Sequence, residues 1–416
     1  MRLRKKLALA VLVCAASASA HAQRLPSGVG EHEVDLWARL LAMTDTRQLD
    51  TAVVGRALAS KWRPLRAAGA LAIGQIGAER GASGAPLLRA LLKDADASVA
   101  GNAAYALGLL RDTASISDLS RALTGNGEVA RESAWALGEI GAPSRAAISN
   151  GLKSQADTGT AIQLLLAAAK LRPVPLADLT PYLRSAHPSV VWAATYAIAR
   201  TRAPAGVRDL LDLEASPALN ERPRNRPRSL GAAAPYVDAS TGYERARAEI
   251  ARGLAKSAAG DSLGTKAFAV LSRLVGDVDA HVRVNAIRSL GTYGPIARAA
   301  LIYAAHDQDP NVRIAAAQSF GTVLKPDATE MPALWAADTS LVYRSSLLTS
   351  AVRAGLRPAE LAQWAASPDW RLRAAVASAV GDSLDRAFVM SRAVPLTADP
   401  DPRVREAAYA VLTPPA

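Results

Sequence analysis

The chain has 416 residues, a net charge of +12 and a single cysteine, Cys14. One thiol excludes a disulfide framework and any thiolate metal site. The basic surplus favours anionic partners or surfaces.

Residues 1–22 read as a leader outside the fold. Arg2, Arg4, Lys5 and Lys6 precede an apolar run from Leu7 to Ala16, which is too short for a stable bilayer anchor. Small residues at Ala18-Ser19-Ala20 and Ala20-His21-Ala22 suit a signal peptidase, with cleavage expected after Ala22. An uncleaved anchor is the plainer alternative. Val13 before Cys14 argues against a lipoprotein, which needs a small residue there. Cleavage removes the only cysteine, and with it any cysteine nucleophile. Without the four basic residues of 1–22 the charge falls from +12 to about +8. A basic chain ordinarily suggests nucleic acid, but an exported protein rarely meets it. No later segment reaches the length of a membrane span; the longest, Ala161 to Ala169, reads as a buried helix. The expected location is therefore periplasmic or otherwise extracytoplasmic.

From residue 31 onward the chain repeats. A looser hairpin, Glu31 to Ala59, serves as a cap. Openings then follow at Leu65, Val99, Val129, about Gly159, Val190, a disturbed copy near Glu244, then Val282, Val312, a degenerate Val342, Leu372 and Val404. The openings 282, 312, 342 and 372 are each 30 residues apart, a period that marks stacked supersecondary units. With the opening residue as position 0, small or apolar residues fall at 0, +4, +7 and +8, one stripe of a helix. Examples are Val99, Ala103, Ala106 and Leu107, or Val129, Ser133, Ala136 and Leu137. Glycine recurs at +9 (Gly74, Gly108, Gly138, Gly291, Gly321, Gly381), where it suits the turn that leaves a helix. Asp309-Pro310, Pro368-Asp369 and Asp401-Pro402 stand where a helix needs a cap and tolerates proline. A second apolar helix follows each glycine, as in Ala85 to Lys93 or Ile296 to Ala305. The predicted fold is all-α: about eleven helical hairpins forming a solenoid roughly 100 Å long at ~10 Å per helix layer, with convex and concave faces.

This phrase resembles the HEAT repeat. Asp-x-x-Val-Arg, then an alanine-rich run and Leu-Gly, is similar to the bacterial short-HEAT type, including repeats called phycobilisome-lyase-like. The resemblance covers nearly all of 31–412. It implies a ladder in which Asp and Arg of successive units hydrogen-bond. Arg66, Arg283, Arg313, Arg373 and Arg405 hold +1 for it, and the Val99, Val129 and Val190 copies lack arginine there. The family shares shape rather than chemistry.

Residues 216–238 break the pattern with Pro217, Pro223, Pro227 and Pro235 among Arg222, Arg224, Arg226 and Arg228. The segment reads as a long loop inserted between an N-terminal sub-array, 23–215, and a C-terminal one, 239–416. One reading is a basic extended arm that docks on an acidic partner, phospholipid headgroups or a cell-envelope polymer. The plainer reading is a solvated hinge.

Catalytic signatures are missing. The histidines, His21, His32, His187, His281 and His306, lack metal-ligand spacing. Gly260 to Lys266 has the wrong glycine spacing for a phosphate loop, and neither a Gly-x-Ser-x-Gly elbow nor His-Glu-x-x-His occurs. Asp94/Asp96, Asp277/Asp279 and Asp307/Asp309 lie at turns between units, where capping accounts for them. No catalytic, cofactor or metal residue is therefore assigned.

Two rows are candidates for partner binding. Tyr105, Trp135 and Tyr196 share position +6, as a binding stripe or as packing on the adjacent unit, the latter favoured. Arg89, Arg121 and Arg208 share a place on second helices, as a basic strip or, more plainly, a solvated face. The expected function is a non-catalytic exported scaffold that binds a protein partner. Similar exported HEAT arrays occur joined to cyclophilin-type peptidyl-prolyl isomerases. That makes the HEAT portion of an isomerase system the alternative. The chain itself holds only Phe268, Phe320 and Phe388 and no Phe-Met-x-Gln cluster from which to build an isomerase pocket. Val404 to Leu412 reads as a first helix with no second helix after it, an edge that expects a cover. A lyase-like role is the second alternative, disfavoured by the leader.

Overall fold

A computed structural model describes residues 30–125, 127–154, 157–201, 203–220, 239–323 and 329–413. The leader 1–22 and Arg222, Arg224, Arg226 and Arg228 lie outside the described residues. Within them there are helices and turns and no strand, arranged as an α-solenoid of helical hairpins.

The chain divides into two compact units, Met1–Ala136 and Leu137–Ala416. In the first, the hairpin Glu31–Thr46 and Thr51–Leu58 is followed by Arg63–Ile76 with Ala85–Leu91, and by Ala97–Leu110 with Ile116–Ala122. In the second, first helices such as Pro188–Ala199, Ala239–Gly253, Ala280–Leu290, Pro310–Ser319, Leu341–Arg353, Trp370–Gly381 and Pro402–Leu412 pack each on the next. The boundary falls inside the Gly127–Ile140 helix, and both flanks of 216–238 belong to the second unit. Pro217 does not break helix here: Pro217–Asn220 is a short helical turn, with Leu219 buried. Proline is tolerated at such a first position, because its missing N–H is unpaired there anyway.

The stripe at 0, +4, +7 and +8 is the buried face. Val99, Ala103, Ala106 and Leu107 are fully buried, and so are Ser133, Ala136 and Leu137. Asp96, Asp279, Asp309, Asp369 and Asp401 each accept backbone N–H groups at the start of their helices.

Gly291 caps the end of the Ala280–Leu290 helix and Gly381 ends Trp370–Gly381, but the earlier glycines at +9 do not make the turns. Gly74, Gly108 and Gly138 lie inside their helices, against the next first helix. A Cβ on Gly108 would stand 2.7 Å from the Ala136 Cα, and one on Gly138 3.0 Å from the Ala167 Cα. Removing the side chain is what lets backbones approach. The left-handed turn comes three residues later, at Gly77, Arg111, Gly141, Gly294 and Gly355, all with positive φ.

Three openings shift. Val342 is 58% exposed, and Tyr343 is the buried position 0, its hydroxyl donating to the Leu334 carbonyl at 2.9 Å. Thr160, not Gly159, opens the Thr158–Ala168 helix, because Thr160, Leu164, Ala167 and Ala168 form its buried stripe. The disturbed copy opens at Ala246 rather than Glu244, with Ala246, Ile250 and Leu254 fully buried. Each true opening lies one or two residues later because burial, rather than residue type, marks the face that meets the next unit.

Candidate functional site

The +1 arginines form the expected ladder wherever they occur with an acid in the next unit. Arg66 pairs with Asp94, Arg283 with Asp307, Arg313 with Asp338 and Arg373 with Asp399, at 2.6–3.0 Å. The corrected register adds Arg247, paired with Asp277 at 3.0 Å. Each of Arg66, Arg283, Arg313 and Arg373 also donates to carbonyls five or six residues before it, stitching its own unit to the preceding turn. Among the described residues Arg405 makes only those carbonyl bonds, to Asp399 and Pro400. The ladder acids accept the N–H two residues on as well, as Asp307 does from Asp309. At the gaps in the ladder, Ala100, Ala130, Ala161 and Val191 are buried. The paired carboxylates thus divide their work between ladder and cap, and no group of three metal-ligating side chains occurs among the described residues.

Of the aromatic row, Tyr105 and Trp135 lie in the first compact unit and Tyr196 in the second. Tyr105 and Trp135 stack on each other across adjacent units, with ring centroids 4.4 Å apart. Tyr196 meets Trp192 at 6.0 Å on its own helix and carries the Arg200 guanidinium over its ring at 4.1 Å. Two of the basic row are neutralised: Arg89 by Asp112 at 2.6 Å, and Arg121 by Asp118 one turn earlier at 2.8 Å. Arg208 is exposed and has no ion pair among the described residues.

Around Tyr196 the second unit gathers a different set of groups. The first helices Pro188–Ala199, Ala239–Gly253 and Ala280–Leu290 pack in sequence, brought close where Gly253 meets Ala199. On their solvent flank lies a cleft of about 750 Å³. Trp192 stands at its edge with Arg245 stacked over the ring at 3.5 Å. Arg252 and Arg288 line it, and neither has an ion pair among the described residues. Counted from Ala246 and Val282, both occupy +6, the row of Tyr196. Glu249 lines the cleft too, its Oε2 buried without a hydrogen-bond partner among the described residues. Burial pushes its carboxyl up from the ordinary value, against the pull of Arg252, Arg200, Arg245 and His281. The sequence hid this cluster because an opening at Glu244 puts Arg252 at a core position. The remaining signal was the density of arginine and glutamate between 244 and 252.

A second cleft, about 610 Å³, lies beside Tyr303 and His306, but its charges are engaged, Arg283 with Asp307 and Asp277 with Arg247.

The family model described as HEAT repeats matches residues 55–138, 84–158, 239–321 and 269–347, together just over half of the chain. The chain belongs to the HEAT-repeat family. Among curated proteins nothing matches this HEAT array. Among solved structures it is similar to a chain of a homology model of the full-length AP-3 complex in an intermediate open conformation. The identity is 14%, over 91% of this chain and 74% of that one, with a TM-score of 0.51. It is also similar to importin beta, at 12% identity over 98% of this chain and 59% of that one, with a TM-score of 0.45. At such identities the likeness concerns the fold alone.

Proposed function

We propose that this HEAT protein is a non-catalytic scaffold that acts outside the cytoplasm and binds a protein partner through its solenoid surface. The cleft bordered by Trp192, Arg252, Arg288 and Glu249 carries the reading. It presents aromatic and arginine side chains, the types that anchor protein interfaces, with their charges unpaired among the described residues. The ladder arginines Arg247, Arg283 and Arg373, by contrast, face acids, which is how an array holds its own units together. Location rests on the basic and apolar pattern of residues 1–22. No helix among the described residues is long and apolar enough to cross a membrane.

The test is cross-linking in intact cells, purification of the tagged protein from the envelope fraction, and N-terminal sequencing. The expected result is a stoichiometric protein partner and a mature chain starting at Gln23. Recovery of an uncrosslinked chain from the cytoplasm overturns the reading. So does clear catalysis of proline isomerisation in a peptide by the purified protein.

A further inference from the structure

We propose that the cleft between the Ala239–Gly253 and Ala280–Leu290 helices seats an acidic, extended segment of the partner protein. Carboxylates of that segment pair with Arg252 and Arg288, and one of its N–H groups is donated to Glu249. The inference rests on the scaffold reading and names the chemistry of what the scaffold holds.

Three observations carry it. First, the arginines at +1 of this unit are neutralised: Arg247 by Asp277, Arg283 by Asp307, Arg313 by Asp338 and Arg373 by Asp399. Arg252 and Arg288 on neighbouring helices are not, although they line the same cleft. Unpaired guanidinium forks on adjacent helices suit successive carboxylates of an extended chain, whose side chains on one face recur about every two residues.

Second, the Glu249 Oε2 is shut from solvent with no donor. A buried acceptor left unpaired is costly, so Glu249 gains a donor if its carboxyl, which lines the cleft, turns toward a ligand there. This separates the candidate anions. A fully ionised phosphate group brings acceptors only and leaves Glu249 without a donor. A peptide brings both N–H donors and carboxylates, and so satisfies Glu249 and the arginines together.

Third, the edge is built for contact. The Trp192 ring is held under Arg245, with the guanidinium carbon 3.5 Å from its centroid. Asn285 also lines the cleft and offers both a donor and an acceptor to a main chain. The other acids of the cleft, Asp279 and Glu244, are already engaged. Asp279 accepts the His281 N–H as a helix cap, and Glu244 already has an interaction partner.

The experiment uses the purified chain and a fluorescent decapeptide of alternating Glu and Gly, read by anisotropy at low salt. The controls are a Gln–Gly peptide, inorganic polyphosphate and phosphatidylglycerol vesicles. Saturable binding of the Glu–Gly peptide is expected, at least tenfold weaker in the double variant R252Q/R288Q and within twofold of wild type in R121Q. Glu249→Leu removes the acceptor while keeping bulk, and is expected to weaken binding several-fold; Glu249→Gln, which keeps an acceptor, is expected to bind at least as well as wild type. Circular dichroism and melting of each variant confirm the fold, which these cleft-lining side chains do not support. The proposal is overturned if R121Q weakens binding as much as the double variant does. It is also overturned if polyphosphate or vesicles bind more tightly than the peptide and are lost in the same variants. If the peptide fails while R252Q/R288Q still captures its cross-linked partner, the scaffold stands and this cleft is not its site. If neither peptide nor partner binds, both readings fall.

Discussion

Arg283 and Asp307 face each other across two successive repeats, joined by two parallel hydrogen bonds, Nε to Oδ2 and Nη2 to Oδ1, both 2.8 Å. Both side chains are nearly closed off, at 7% and 9% exposure. A fork-to-fork pair in such surroundings fixes geometry as well as charge.

Arg283→Ala leaves Asp307 buried and unpaired, so it is expected to lower stability by about 3–5 kcal/mol. Arg121→Ala, which removes an exposed pair, should cost less than about 1 kcal/mol. Urea denaturation of both variants checks the contrast, and equal losses would show that burial of the ladder is not what stabilises it.

The ladder makes stability fall in acid. The Arg373 hydrogen bond holds the Asp399 carboxyl below its ordinary 3.8, and Arg66 does the same for Asp94. Arg403 brings Asp401 down to about 2. A carboxyl lowered in the folded state stabilises above its unfolded value and loses that contribution as pH falls through the folded one. The melting temperature should therefore hold from pH 7 to about 4 and drop between about 4 and 2. Arg373→Gln should make the drop shallower.

Glu249 has the opposite sign. Its carboxyl is raised from 4.5 by burial, so its favourable contribution exists below 4.5 and is lost as pH rises through the folded value. Glu249→Gln should raise the melting temperature at pH 7 and change it little at pH 4. No difference between the two pH values would mean that the carboxyl is well solvated.

Gly108→Ala places a methyl 2.7 Å from both the Ala136 Cα and the Trp135 ring, and is expected to cost about 1–3 kcal/mol by overpacking. Gly55→Ala, in a helix with nothing within 4 Å of its Cβ, should stabilise by about 0.5–1 kcal/mol. Thermal melts of the two variants should move in opposite directions.

The stacked rings of Tyr105 and Trp135 should couple by about 0.5–1.5 kcal/mol in a double-mutant cycle of alanine variants. A coupling near zero would release both rings for partner contact.

The candidate site was less legible than the fold. Arg89 and Arg121 looked like members of a basic row, yet Asp112 and Asp118 sit close enough to neutralise them. Asp118 was within one helical turn of Arg121 and readable; Asp112 came from the turn after the helix that follows Arg89, Ala97–Leu110, and was not. The cluster around Glu249 was hidden by a two-residue error in register, since in a helix such a slip turns a side chain by about 200°.

By itself the sequence determined what depends on repetition along the chain: the helical period, the buried stripe, the capping aspartates and the arginines able to bridge successive units. Each of these is a local pattern, and stacking like on like reproduces it in every copy. Only the tertiary structure decided the register of the copies at 160, 246 and 343 and the role of the +9 glycines. It alone also showed which arginines remain unpaired. Those depend on how closely neighbouring helices approach, and that distance is set jointly by residues such as Gly253 and Ala199, which lie far apart in the chain.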